Sequence, residues 1–230
     1  MQGLRLVKKA KIRSAGVLSC CLLVLLVSGF TFSTSLKNTI SAGTAKINIT
    51  PVVPIPMSGY RSRTDPFEGV HDSIYARAIV FSDGENKAAI ISAEIIGFSN
   101  SFCEETTSLI EERTGIKQEN ILLSVVHNHS GPVTRVYSTD VSPEVIAYAD
   151  GLKLKMVELV FEADRNLQDV CLGAGKGECR MNINRRADDG KGNIQLGRNP
   201  YGPCDHEVGV IRIDNAEGNI ISLLLNWPCH

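Results

Sequence analysis

Asn120-Ile121-Leu122-Leu123-Ser124-Val125-Val126-His127-Asn128-His129-Ser130-Gly131-Pro132 is a short apolar run that stops on two histidines and a turn. Ile121 to Val126 is rich in branched residues and reads as a buried strand in the middle of a sheet. Ser130-Gly131-Pro132 ends it. Side chains at i and i+2 of a strand share one side, which predicts that the imidazoles of His127 and His129 leave the sheet end together. Two neutral imidazoles on one face suit a zinc site, or a ligand beside a proton-transfer partner. The plainer alternative is one histidine capping the turn and the other solvated.

Outward from this stretch, the chain has 230 residues and 43% hydrophobic content, enough for one buried core behind a leader. The net charge of −1 excludes the basic footprint that nucleic-acid binding requires. Positive charge gathers at Arg5, Lys8, Lys9, Lys11 and Arg13. Ser14 to Leu36 then carries no charge, and Val17 to Val27 is nearly all apolar. This is the pattern of an export signal, and it predicts a signal peptide or an uncleaved signal anchor over residues 1–38. The protein is expected to be secreted, or membrane-anchored on the exported side. Cys20 and Cys21 fall in that leader. Cys103, Cys171, Cys179, Cys204 and Cys229 remain, leaving room for one or two disulfides of undetermined pairing in an oxidising compartment.

The rest alternates strands and helices. Strands are expected at Ala45–Thr50, Ile74–Phe81 and Lys87–Ile96, the last two joined by a hairpin at Asp83-Gly84. Glu94, inside an apolar run, faces an edge or supports the metal site. A helix is expected over Asn100–Arg113, stopped by Gly115, and a long one starts at Ser142-Pro143. Its core face is read as Val145, Ala149, Leu152, Met156, Leu159, Val160 and Ala163. Glu207–Ile213 and Asn219–Trp227 form a second hairpin, with the last strand in a sheet interior. His71-Asp72 is either a catalytic pair or a solvated loop, and Arg185-Arg186 either a site or a solvated basic loop. A strand that closes on Pro228-Cys229-His230 leads us to expect a fragment of a longer protein.

Taken together, Ile49-Thr50-Pro51, Gly59-Tyr60, Asp72-Ser73-Ile74-Tyr75-Ala76-Arg77-Ala78, His127-Asn128-His129-Ser130-Gly131-Pro132, Asn184-Arg185 and Asn226 to His230 resemble, in order, the motifs of the neutral/alkaline non-lysosomal ceramidase family. The resemblance spans about Ala42 to His230. It implies an α/β fold of mixed β-sheets flanked by α-helices, with residues 39–230 as the truncated N-terminal part of a ceramidase-like catalytic domain. It also implies a Zn²⁺-dependent amidase splitting ceramide into sphingosine and a fatty acid, with a lipid amide as its partner at a membrane surface. Position by position, His127 and His230 are implied as zinc ligands, and His129 and Arg185 as catalytic residues. Ser130 is read as shaping the turn rather than as a nucleophile. Asn128 stands where the family has threonine, and the glutamate, tyrosine and serine that complete its site lie beyond His230, so the fragment alone is expected to be inactive. Two other readings stay open: a secreted non-catalytic binding module on the same fold, and an exported zinc hydrolase of another amide or ester.

Overall fold

The computed structural model describes residues 39–134 and 141–230. The expected leader, residues 1–38, lies outside them. Among the described residues no helix is long and apolar enough to cross a membrane.

The strands are β1 (Ser41–Asn48), β2 (Tyr75–Ser82), β3 (Lys87–Ala93), β4 (Ile121–Val125), β5 (Gln168–Glu178), β6 (Asn184–Asp188), β7 (Ile194–Asn199), β8 (Glu207–Asn215) and β9 (Ile220–Asn226). The helices are α1 (Asn100–Thr114) and α2 (Pro143–Arg165). Seven strands form one mixed sheet in the order β4-β3-β2-β1-β5-β8-β9, and β6 pairs with β7 apart from it. Among the described strands only β3 and β4 run parallel, connected through α1.

Local chemistry sets the helix limits. The Ser99 hydroxyl accepts the Phe102 N–H at the start of α1. Gly115, at φ 75°, ends that helix and donates its N–H to the Glu111 carbonyl. Ser142 caps α2, and Pro143 occupies its first turn, where a missing N–H costs nothing. The residues of α2 expected to face the core are those found buried. Of these, Leu152, Met156, Leu159, Val160 and Ala163 pack with Phe102 and Ile110 of α1 on Ala76, Ala78 and Val80 of β2 and Ala89, Ile91 and Ala93 of β3. Gly43 of β1 passes so close that a Cβ there would lie 2.1 Å from the Ala163 carbonyl oxygen of α2.

Two strand assignments need correcting. β4 and β9, both expected inside a sheet, are its two edges, with Leu122 56% and Leu225 67% exposed. In a flat sheet the edges of seven strands stand about 29 Å apart, six strand spacings. Here β1 and β5 share only two residue pairs. Side chains from β3 and β4 and from β5, β8 and β9 line one cavity of about 590 Å³. The sheet therefore curves until its two ends face each other. Apolar residues on both sides of β4 and β9 reflect that curvature rather than a central place in the strand order. All five described cysteines are free thiols.

Candidate metal centre

β4 ends at Val125, before either histidine. The chain keeps following β3: the Val126 N–H donates to the Ala93 carbonyl (3.1 Å) and the Asn128 N–H to the Ile95 carbonyl (3.1 Å). Between them His127 has φ 55°, the one positive value at a non-glycine among the described residues. A left-handed conformation costs an L-residue roughly 1–2 kcal/mol. Strand alternation is thus not what brings the imidazoles together. The local kink at His127 is.

The kink is held on both sides. The Asn128 side-chain amide donates to the Glu94 carbonyl (3.3 Å), and its oxygen accepts the Ser130 N–H (2.6 Å). Ser130 enters the turn through its backbone N–H, and the Asn128 side chain makes the contact. The Glu94 carboxylate faces away from the histidines, accepting from the Tyr75 N–H (2.7 Å) and from Arg77 (2.5 Å), so its support for the site comes only through its backbone. His127 Nδ1 lies 2.8 Å from the Ile96 carbonyl oxygen. A carbonyl can only accept, so Nδ1 carries the proton and Nε2 is left with its lone pair.

His230 follows β9, and the side chains of Asn182 and Trp227 fix its approach. The Asn182 Nδ2 donates to the Pro228 carbonyl (2.5 Å) and to the Asp205 carbonyl (2.5 Å), while its Oδ1 pairs with His206 Nδ1 (2.7 Å). The Trp227 indole N–H donates to the Cys179 carbonyl (3.2 Å). His230 thereby arrives beside the kink, with its Nε2 3.2 Å from that of His129. The ring centroids stand 4.8 Å apart for His127 and His129, 4.7 Å for His127 and His230, and 5.1 Å for His129 and His230. Partial desolvation, then the Arg185 charge and the other two imidazoles, hold His230 below the usual histidine range. Arg185 sits on β6 and lines, with Asn184, Cys229 and His230, a cavity of about 690 Å³.

All four residues singled out from the sequence meet at this end of the sheet. His71 and Asp72 do not: they pair at 2.7 Å in the open and line a separate cavity on the Asn128–Pro132 side. The sequence reading missed Asn182, the Ile96 carbonyl and Arg63, which holds the carbonyl of His129. Asn182 and Pro228 stand 46 residues apart, and Arg63 and His129 66 apart, with no periodic signal to connect them.

The donor set fits a metal. Each of the three histidines offers one nitrogen, all within 4.8 Å of one another. Tetrahedral zinc, with nitrogen at about 2.0–2.1 Å, spaces its ligands about 3.4 Å apart. The 3.2 Å between His129 and His230 already has that spacing.

Residues 40–230 match the family described as neutral/alkaline non-lysosomal ceramidase, N-terminal. The fold is similar to that of a ceramidase complexed with C2, with a TM-score of 0.67 and 20% identity over 84% of this chain and 31% of that one. It is equally similar to the neutral ceramidase from Pseudomonas aeruginosa, with a TM-score of 0.66 and 20% identity over 84% of this chain and 32% of that one. The chain thus spans about a third of the length of these solved structures. It belongs to the neutral/alkaline non-lysosomal ceramidase family.

Proposed function

We propose that this family member is the N-terminal part, residues 39–230, of a zinc-dependent amidohydrolase that cleaves the N-acyl amide of ceramide to sphingosine and a fatty acid. The observation that carries the reading is the convergence of His127, His129 and His230 beside a cavity that Arg185 also lines. His127 and His230 would hold the zinc, which supplies Lewis-acid polarisation of the scissile carbonyl and acidifies a water. Catalytic zinc usually has three protein ligands. The family resemblance puts the remaining acidic and tyrosyl ligands beyond His230.

The chain's own residues divide the other tasks. The Ile96 carbonyl selects the tautomer of neutral His127 in which Nε2 carries the lone pair that a ligand needs. His129 takes the proton of the attacking water and returns it to the departing sphingoid amine. The forked donors of Arg185 hold the polar end of the substrate or the developing oxyanion. The leader over residues 1–38 places this chemistry on the exported side of a membrane, where a ceramide-like lipid is met at the bilayer surface.

The test is turnover by the complete protein of a fluorescent N-acylsphingosine and of the matching ester. Amide cleavage lost with a chelator and restored by zinc supports the reading. Ester cleavage alone would instead establish a zinc hydrolase of another substrate, and ceramide binding with no turnover a binding module.

A further inference from the structure

His127 and His129 are held by different parts of the molecule. His127 is tied through its ring to Ile96. His129 is enclosed by the loop between β1 and β2, a loop in which the family resemblance assigns no role to Arg63. The Arg63 Nη2 donates to the backbone carbonyl of His129 (2.7 Å) and to that of Ser58 in its own loop. Gly59 has φ 108°, and a Cβ there would fall 2.5 Å from the His129 Cβ, so the loop backbone lies flat against that side chain. The Tyr60 ring meets the His129 ring edge-on, with centroids 5.7 Å apart. The Arg63 guanidinium carbon stands 5.1 Å from the centre of Tyr60, locking loop and ring together.

This enclosure is anchored along its length. The Ser58 N–H donates to the Gly131 carbonyl (2.9 Å) and the Val133 N–H to the Pro56 carbonyl (2.9 Å), with Met57 bridged to Pro132. Two short segments thus run antiparallel, and Arg63 fastens the end nearest the imidazole. The Nε of Arg63 is buried without a partner among the described residues. Burying an unsatisfied guanidinium donor is unfavourable, which a merely solvated loop arginine would avoid.

We propose that Arg63, with Tyr60 stacked beside it, is a positioning residue that fixes His129 relative to His127 and His230 without touching the substrate. The contact stands on the geometry alone; the proton-transfer task that it serves rests on the amidase reading above. A misplacement of about 1 Å costs up to 10²-fold in rate, and loss of a group that orients a site residue typically costs 10- to 100-fold.

The experiment uses the complete zinc-loaded protein. Arg63→Gln is expected to lower kcat for the amide about 10- to 100-fold with zinc content and KM unchanged, and Arg63→Lys, which can still donate to both carbonyls, to recover most of it. In a His129→Ala background Arg63→Gln is expected to cost less than about twofold, because nothing is left to position. An equal cost in both backgrounds, or none in either, overturns the proposal. Should Arg63→Gln fail to fold, Tyr60→Leu carries the same comparison, since Tyr60 is 60% exposed. Should the parent cleave no amide, the amidase reading fails by itself. The positioning role is then read from imidazole NMR signals, where Arg63→Gln must move that of His129 and leave that of His127 in place. Movement of both signals, or of neither, contradicts it.

Discussion

The Nε2 atoms of His129 and His230 lie 3.2 Å apart, although 101 residues separate them in the chain and they follow opposite edges of one sheet. Curvature of the sheet closes that distance. The site is consequently a property of the whole fold rather than of a local motif, and changes far from it should reach it through the sheet.

His127 and His129 should separate by function when each is removed. His127→Ala is expected to lose zinc, because its Nε2 is the nitrogen left free by the Ile96 contact. His129→Ala is expected to keep zinc and lose roughly 10²–10⁴-fold in kcat, the usual scale of a general acid–base group. Metal analysis beside a turnover assay reads both. Zinc loss in the second variant alone would exchange the two assignments, a result that the ligand-like spacing of His129 and His230 makes worth testing.

Arg185 shares its cavity with His230 and bears on it electrostatically. Replacing it with Met should lower kcat by roughly 10²–10³-fold, the scale of a lost oxyanion donor, at undiminished zinc content. Turnover close to wild type in Arg185→Met would return this residue to the solvated basic loop.

Tyr148 of α2 donates its hydroxyl to the Ile49 carbonyl (2.7 Å), and burial pushes its pKa above the ordinary tyrosine range. A raised folded-state pKa gives stability that is complete below the unfolded value of about 10 and is lost as pH rises beyond it. Denaturant melts should therefore show an alkaline decline above about pH 10 that Tyr148→Phe reduces. At neutral pH the same substitution should cost about 1 kcal/mol, since the Ile49 carbonyl loses its donor.

Gly43 tests the contact between sheet and helix. An added Cβ would meet the Ala163 oxygen at 2.1 Å and the Asn166 and Leu167 backbone at 2.7 Å, all main-chain atoms that cannot swing aside. Gly43→Ala is expected to destabilise by about 1–3 kcal/mol or more as α2 is pushed off β1, seen as a lower unfolding midpoint.

The sequence made α2 legible because Ser142-Pro143 supplies both a cap and a fixed first φ, and because its apolar residues keep one face. The strand leading to His127 was equally plain, and so was the pair of histidines. What stayed hidden was three-dimensional. Apolar residues on both faces of β4 and β9 look alike whether a strand sits inside a flat sheet or at the edge of a curled one. The left-handed kink at His127 is not legible from the residue type, since histidine tolerates positive φ better than most side chains but adopts it far less often than glycine. Arg63 and Asn182 act on distant backbone carbonyls, a contact with no periodicity and no characteristic spacing.

The most direct test of the account is zinc stoichiometry together with ceramide turnover in the complete protein and in its His127→Ala variant. We expect one zinc per chain with amide cleavage in the parent, both lost in the variant. A folded parent that binds no zinc, or a variant that retains both zinc and turnover, would contradict the assignment of these histidines to a catalytic metal site.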